Sequence, residues 1–212
     1  LSVARLAPPT QANAVEVFLD TSAWLSVHRL SGQDAAQLET FLDALDQGHV
    51  RLHAPEALVA EYRRQRKALL DHALERTRTA ALDLRVPQVL RAAEGETTLL
   101  PLEQAYFAER ERYLDAVDAQ IQVEQLPVDH LIARLLSHAH RAASTRLARR
   151  RASERFALCN PPGEHGGLSD ALSWETLLAT VPEGARLHVV SEAATYCTEG
   201  EEERFNGFLL EE

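Results

Sequence analysis

The chain has 212 residues, 45% of them hydrophobic, and a formal net charge of −10, which allows one sizeable domain, or one domain with a large insertion, around a true apolar core. The acidic balance argues against non-specific attachment to DNA or to an anionic membrane, and no stretch approaches the roughly 18 uninterrupted apolar residues of a membrane helix. With only Cys159 and Cys197 and no charged, apolar, small-residue order of a secretory signal, the reading is a reducing, cytoplasmic compartment without a disulfide framework.

Residues 1 to 13 read as a loose lead-in around Pro8 and Pro9. Val15 to Leu19 is short and rich in β-formers, so it reads as a buried strand that ends at Asp20. An apolar helical stretch follows Thr21 and Ser22. A second helix over Asp34 to Leu45 has Leu38, Phe41, Leu42 and Leu45 on one face and closes at Gly48. Val50 to His53 is a second strand, and Pro55 and Glu56 open the next helix.

From about Glu56 to Arg155 the pattern is helical, with breaks near Pro87, Gly95 to Pro101 and Pro127 and later helices near 102–124 and 128–152. Asn160 to Gly167 reads as a loop. Ser169 is placed to cap a helix over Asp170 to about Thr180, and Leu187 to Ser191 is a third strand. The tail residues Phe205, Phe208, Leu209 and Leu210 are apolar enough to join a core. This alternation predicts an α/β fold, a Rossmann-like, mostly parallel sheet flanked by helices. The expected organisation is a single domain over 1–212 with a helical arm inserted at about 63–155.

No Cys-x-x-Cys occurs, and His138 and His140 point to different sides of a helix, which argues against structural zinc. Carboxylates are better placed for chemistry. Asp20 ends the first strand, and open α/β sheets put their ligand crevice at the carboxyl ends of strands. Glu61 lies in the helix after the second strand, and Asp170 opens the helix after the glycine-rich loop. Hard oxygens gathered in one cleft repel each other unless a hard cation such as Mg²⁺ or Mn²⁺ neutralises them. Glu175, about 140° round the helix from Asp170, is a candidate supporting group. Each acid also has a structural reading: Asp20 as a helix cap, Glu61 as a solvated helix residue, Asp170 as a partner of its helix dipole.

The basic residues are nearly all arginine, with Lys67 the only lysine, and Arg141 to Arg155 carries six arginines against one acid, Glu154. Arg146, Arg149 and Arg150 share one helix face and are candidates for nucleic-acid contact. A solvated face paired with nearby acids is the alternative.

Val17-Phe18-Leu19-Asp20-Thr21-Ser22 resembles the opening strand of PIN-domain nucleases. Leu168-Ser169-Asp170-Ala171-Leu172-Ser173-Trp174-Glu175 resembles the Gly-Asp-Ala-Leu-Ile-Trp-Glu helix of a PIN-like subfamily with long helical insertions. The resemblance covers roughly 14–62 and 155–212 and implies a PIN-like fold. It implies that Asp20, Glu61 and Asp170 are catalytic metal ligands holding Mg²⁺ or Mn²⁺ for hydrolysis of single-stranded RNA, with Thr21 or Ser22 orienting a ligand or the water. It also exposes a departure. Where relatives continue Val-Ser-Asp-Asp-Gly-Asp-Tyr, this chain has Val190-Ser191-Glu192-Ala193-Ala194-Thr195-Tyr196. Acids are replaced by Ala193 and Thr195, leaving Glu192 as the remaining candidate metal ligand there.

The leading expectation is a metal-dependent endoribonuclease. The alternative is a catalytically impaired PIN-like module that grips RNA or a protein partner through its arginine-rich arm. A homodimer seam along the leucines and alanines of Leu131 to Leu147 is a third.

Overall fold

The computed structural model describes residues 14–30, 32–82, 96–193, 196–198 and 204–210. These divide into two compact units, one built from the chain up to Gln65 and from Leu131 onward, the other Arg66–His130. Helix α6 (Arg146–Ala157), counted into the arm on sequence grounds, belongs to the first unit.

The first unit is organised by a three-stranded sheet in the order β2 (Val50–His53), β1 (Val15–Leu19), β3 (Leu187–Val190), all parallel. In the centre, β1 is covered on both faces, and Glu16, Val17 and Phe18 are all buried. This is why its apolar run is continuous rather than alternating. Glu16 is the exception to that run. Its carboxylate accepts from Arg51 at 2.8 Å and contacts His53 Nε2 at 2.6 Å, so the buried charge is matched. Burial pushes the His53 imidazole below its ordinary range, against the opposing pull of Glu16.

Helix α1 (Thr21–Ser26) follows β1 directly, and the Trp24 indole N–H donates back to the Leu19 carbonyl at 3.1 Å. Helix α2 (Gly32–Asp46) ends as its sequence implies. Gly48 (φ 70°) and His49 donate to the carbonyls of Leu45 and Ala44, a left-handed stop that glycine enters without a Cβ penalty. Helix α3 (Glu56–Thr79) starts after Pro55. The break expected near Pro87 and Gly95 lies outside the described residues.

Two helix expectations change. Helix α4 is Glu96–Gln122, so it begins before 102 and contains Pro101. The helix expected over 128–152 is instead two helices, α5 (Pro127–His138) and α6, separated by an extended stretch. There His140 donates to Leu52 O at 2.7 Å, Ala54 donates to His140 O at 3.1 Å, and Glu56 donates to Ala142 O at 3.0 Å. The outer edge of β2 would otherwise bury unpaired amides and carbonyls, and satisfying them outweighs helix propensity in this stretch. Ile132 and Leu135 are buried within the chain, whereas Leu147 is exposed.

Helix α7 (Gly163–Leu178) also differs. A helical turn replaces part of the expected loop, then Gly167 (φ 84°, ψ −175°) interrupts it before the main helix. Ala171, Trp174 and Leu177 face the core, where Trp174 lies against Tyr196 and Phe205. A two-stranded antiparallel ribbon, β4 (Cys197–Thr198) and β5 (Arg204–Phe205), precedes α8 (Gly207–Leu210). Of the tail residues, Leu209 is buried and Leu210 is exposed.

In the second unit, the Arg66 guanidinium meets both Asp129 oxygens at 2.9 and 2.7 Å. The same carboxylate accepts from the Leu126 N–H at 2.9 Å at the start of α5. Arg110 lies 4.7 Å from the Phe107 ring centroid.

Candidate active site

Asp20 sits where β1 stops and α1 begins. Its backbone is extended (φ −74°, ψ 177°), which frees the side chain to cap the helix. Oδ1 accepts from the Ala23 N–H at 2.8 Å and from Ser22 Oγ at 2.7 Å, and Oδ2 accepts from Ser191 Oγ at 2.5 Å. The two serines in turn accept the N–H groups of Glu192 (2.8 Å) and Ala193 (2.9 Å). The turn after β3 is thereby tied to the carboxylate at the end of β1. Ser191 was not among the candidate residues, although its position could have been inferred. Once β1 and β3 pair in parallel with Leu19 opposite Val190, the next residues are Asp20 and Ser191.

Glu61 is held by the buried face of α3. Its neighbour Tyr62 is 3% exposed, contacts His28 Nε2 at 2.9 Å and lies 6.0 Å from the Trp24 ring. The Glu61 carboxylate accepts from Gln65 at 2.7 Å and from Arg64, and Ser169 also donates to it. The Gln65 bond, followed by those of Arg64 and Ser169, holds its proton affinity below the ordinary carboxylate range against the opposing effect of burial. Ser169 therefore serves Glu61, tying the start of the main α7 helix to α3.

Asp170 follows immediately. Burial first, then the charges of Asp20 and Glu61, push its carboxyl up to about 7. Carboxylates at 20, 61 and 170, far apart in sequence, thus share one electrostatic field. Tyr196 belongs to the same field. It is 2% exposed and wedged between Phe18 and Trp174, with ring centroids 6.3 and 5.9 Å away. Burial, then Asp170 and Asp20, raise its phenol well above the usual value, so the hydroxyl stays protonated. Tyr196 is not among the sequence candidates for the site, although it matches the tyrosine that ends the relatives' Val-Ser-Asp-Asp-Gly-Asp-Tyr segment.

Other candidates lie elsewhere. Glu192 is exposed and faces Arg29 at 3.6 Å. Ala193 offers no oxygen ligand from its side chain, and Thr195 lies outside the described residues. Thr21 is buried as the first residue of α1. Glu175 accepts from Arg155 Nε at 2.8 Å and Nη2 at 2.6 Å. Arg146, Arg149 and Arg150 are exposed on α6, Arg150 being paired with Glu154 at 2.9 Å. Arg155 is buried, so it drops out of the basic surface of this segment.

The trio at 20, 61 and 170 fits a hard divalent cation in kind: every donor is a carboxylate oxygen, and Asp170 lies in the field of the other two. In spacing it is open. Among the described residues, no three His, Cys, Asp or Glu side chains come together closely enough to hold a metal ion. No described helix is long and apolar enough to cross a membrane.

Comparison with known proteins agrees with this arrangement at the level of the family. A family model described as PIN domain matches residues 17–193, a span that runs from the middle of β1 to the turn after β3. No curated protein and no solved structure matches the chain. With the parallel sheet and the match across most of its length, the chain belongs to the PIN-domain family.

Proposed function

We propose that this protein is a metal-dependent endoribonuclease that hydrolyses single-stranded RNA at the carboxylate cleft formed by Asp20, Glu61 and Asp170. The observation that carries this reading is the Asp170 carboxyl lying in the field of Asp20 and Glu61. A half-buried carboxylate pressed by two others costs stability, and such a cost makes sense where a cation or a developing positive charge is to be met.

Asp20, Glu61 and Asp170 would hold Mg²⁺ or Mn²⁺, with Glu192 reaching it only after leaving Arg29. When bound, such an ion supplies charge neutralisation at the phosphoryl oxygens and a water of lowered pKa. The chain's own residues set the rest. Ser22, Ser191 and the Ala23 N–H hold the Asp20 carboxylate in one orientation. Ser169 holds Glu61 toward α7. Asp170, its carboxyl pushed up to about 7 by burial and by Asp20 and Glu61, would bind a cation in its ionised form.

The test is a Mn²⁺ and Mg²⁺ titration with cleavage of mixed-sequence single-stranded RNA as readout. Cleavage should appear with the metal and disappear in Asp20→Asn and Asp170→Asn. Intact RNA at every metal concentration would overturn the assignment.

A second reading is favoured by Glu192 facing Arg29 and by Ala193. The cleft would lack its fourth acid, and the chain would bind RNA or a protein partner through Arg146 and Arg149 on α6. Binding would then weaken steeply with salt through counterion release and survive Asp20→Asn.

A further inference from the structure

A single buried guanidinium anchors α7 on both sides of Asp170. On the upstream side, Arg155 Nη1 donates to the Pro161 carbonyl, in the turn that leads into α7. Downstream, Nε and Nη2 both donate to Glu175 Oε1. Between these two points the chain passes through Gly167, whose φ of 84° breaks the helix, and then reaches Asp170. Glycine there gives the backbone many alternatives, so the direction of the following helix needs an outside restraint. The Phe208 ring lies 5.7 Å from the guanidinium, and both Arg155 and Glu175 are 6% exposed. A buried ion pair is a poor means of gaining stability, because desolvation consumes most of the attraction. Its better-attested use is to select one register.

We infer that Arg155 is a positioning residue for the carboxylate site, with Glu175 as its counter-charge, setting the approach of Asp170 to Asp20 and Glu61. This rests on the nuclease reading only for its purpose; the positioning itself is a property of the metal-free protein.

The experiment uses the full chain and three variants. Arg155→Lys keeps the charge but loses the fork that spans Glu175 and Pro161. Glu175→Gln keeps the shape but not the charge. Leu209→Ala truncates a buried core residue and reports general loosening. The first readout is the ¹³C carboxyl resonance of Asp170 in metal-free protein at one fixed pH. It should move in both pair variants and stay in place in Leu209→Ala. The second is Mn²⁺ affinity by calorimetry, expected to fall at least fivefold in the pair variants.

An Asp170 resonance unmoved in folded Arg155→Lys or Glu175→Gln overturns the inference, as does an equal movement in Leu209→Ala. If the parent protein binds no Mn²⁺, the nuclease reading fails on that arm alone. The carboxyl resonance still decides the positioning. Should Arg155→Lys not fold, the isosteric Glu175→Gln carries the test.

Discussion

Asp170 and Glu175 are two acids on one helix, five residues apart, and the protein treats them oppositely. Glu175 is surrounded by the guanidinium of Arg155, which cancels its charge. Burial and the charges of Asp20 and Glu61 push the Asp170 carboxyl up to about 7. In the first case an opposite charge accompanies burial; in the second the neighbouring charges are of the same sign. What separates the two carboxylates is the sign of the charges beside them. Both stand on α7, Glu175 buried and Asp170 half-buried.

Breaking the compensated acid should produce the largest change in stability. Glu175→Ala leaves the Arg155 charge buried and alone, at a cost of about 3–5 kcal/mol, read as a lower midpoint in urea unfolding with an unchanged slope. Breaking the uncompensated acid should act on chemistry instead. Asp170→Asn is expected to reduce metal-dependent RNA cleavage by about 100- to 1000-fold, the scale for loss of one group that stabilises transition-state charge.

The two acids also separate by pH. The folded state binds the Asp170 proton more tightly than the unfolded chain does. The stability this contributes is fully present below the ordinary carboxylate value of 3.8 and lost as pH rises through about 7. Metal-free Asp170→Asn should therefore melt at the wild-type temperature near pH 4 and several degrees above it at pH 8. Thermal scans across that window check both the sign and the range. Mn²⁺ should relieve the same penalty in wild type at pH 8, raising its melting temperature more than that of the variant.

The smallest effect belongs to an exposed pair. Arg150→Ala removes the Glu154 contact on the surface of α6, where side chains are mostly solvated, and should alter stability by less than about 0.5 kcal/mol. Ala193→Asp sharpens the comparison from the other direction. An added acid in the turn tied to Asp20 should tighten Mn²⁺ binding by several-fold if the missing ligand limits the site; a calorimetric titration beside wild type reads it out.

Much of the fold is local enough to be read in advance. The continuous apolar run of Val15 to Leu19, the stop at Gly48 and the proline-led start of α3 each depend on a few neighbouring residues. So does the carboxylate at a strand end, because the strand boundary and the acid are adjacent in sequence. The Asp170 helix was recognisable as well, though its Gly167 interruption and earlier first turn were not.

The amino-acid sequence by itself determined the three strands of the main sheet and most of the helices, which acids stand at element ends, and that three parallel strands could share a sheet. Only the tertiary structure decided that 139–145 leaves helical form to complete the edge of β2, and that Ser191 and Tyr196 join Asp20. It also decided that Glu175 meets Arg155 while Asp170 lies in the field of Asp20 and Glu61. These outcomes turn on hydrogen bonds and charges between residues far apart in the chain, whose energies exceed the local preferences that sequence patterns record.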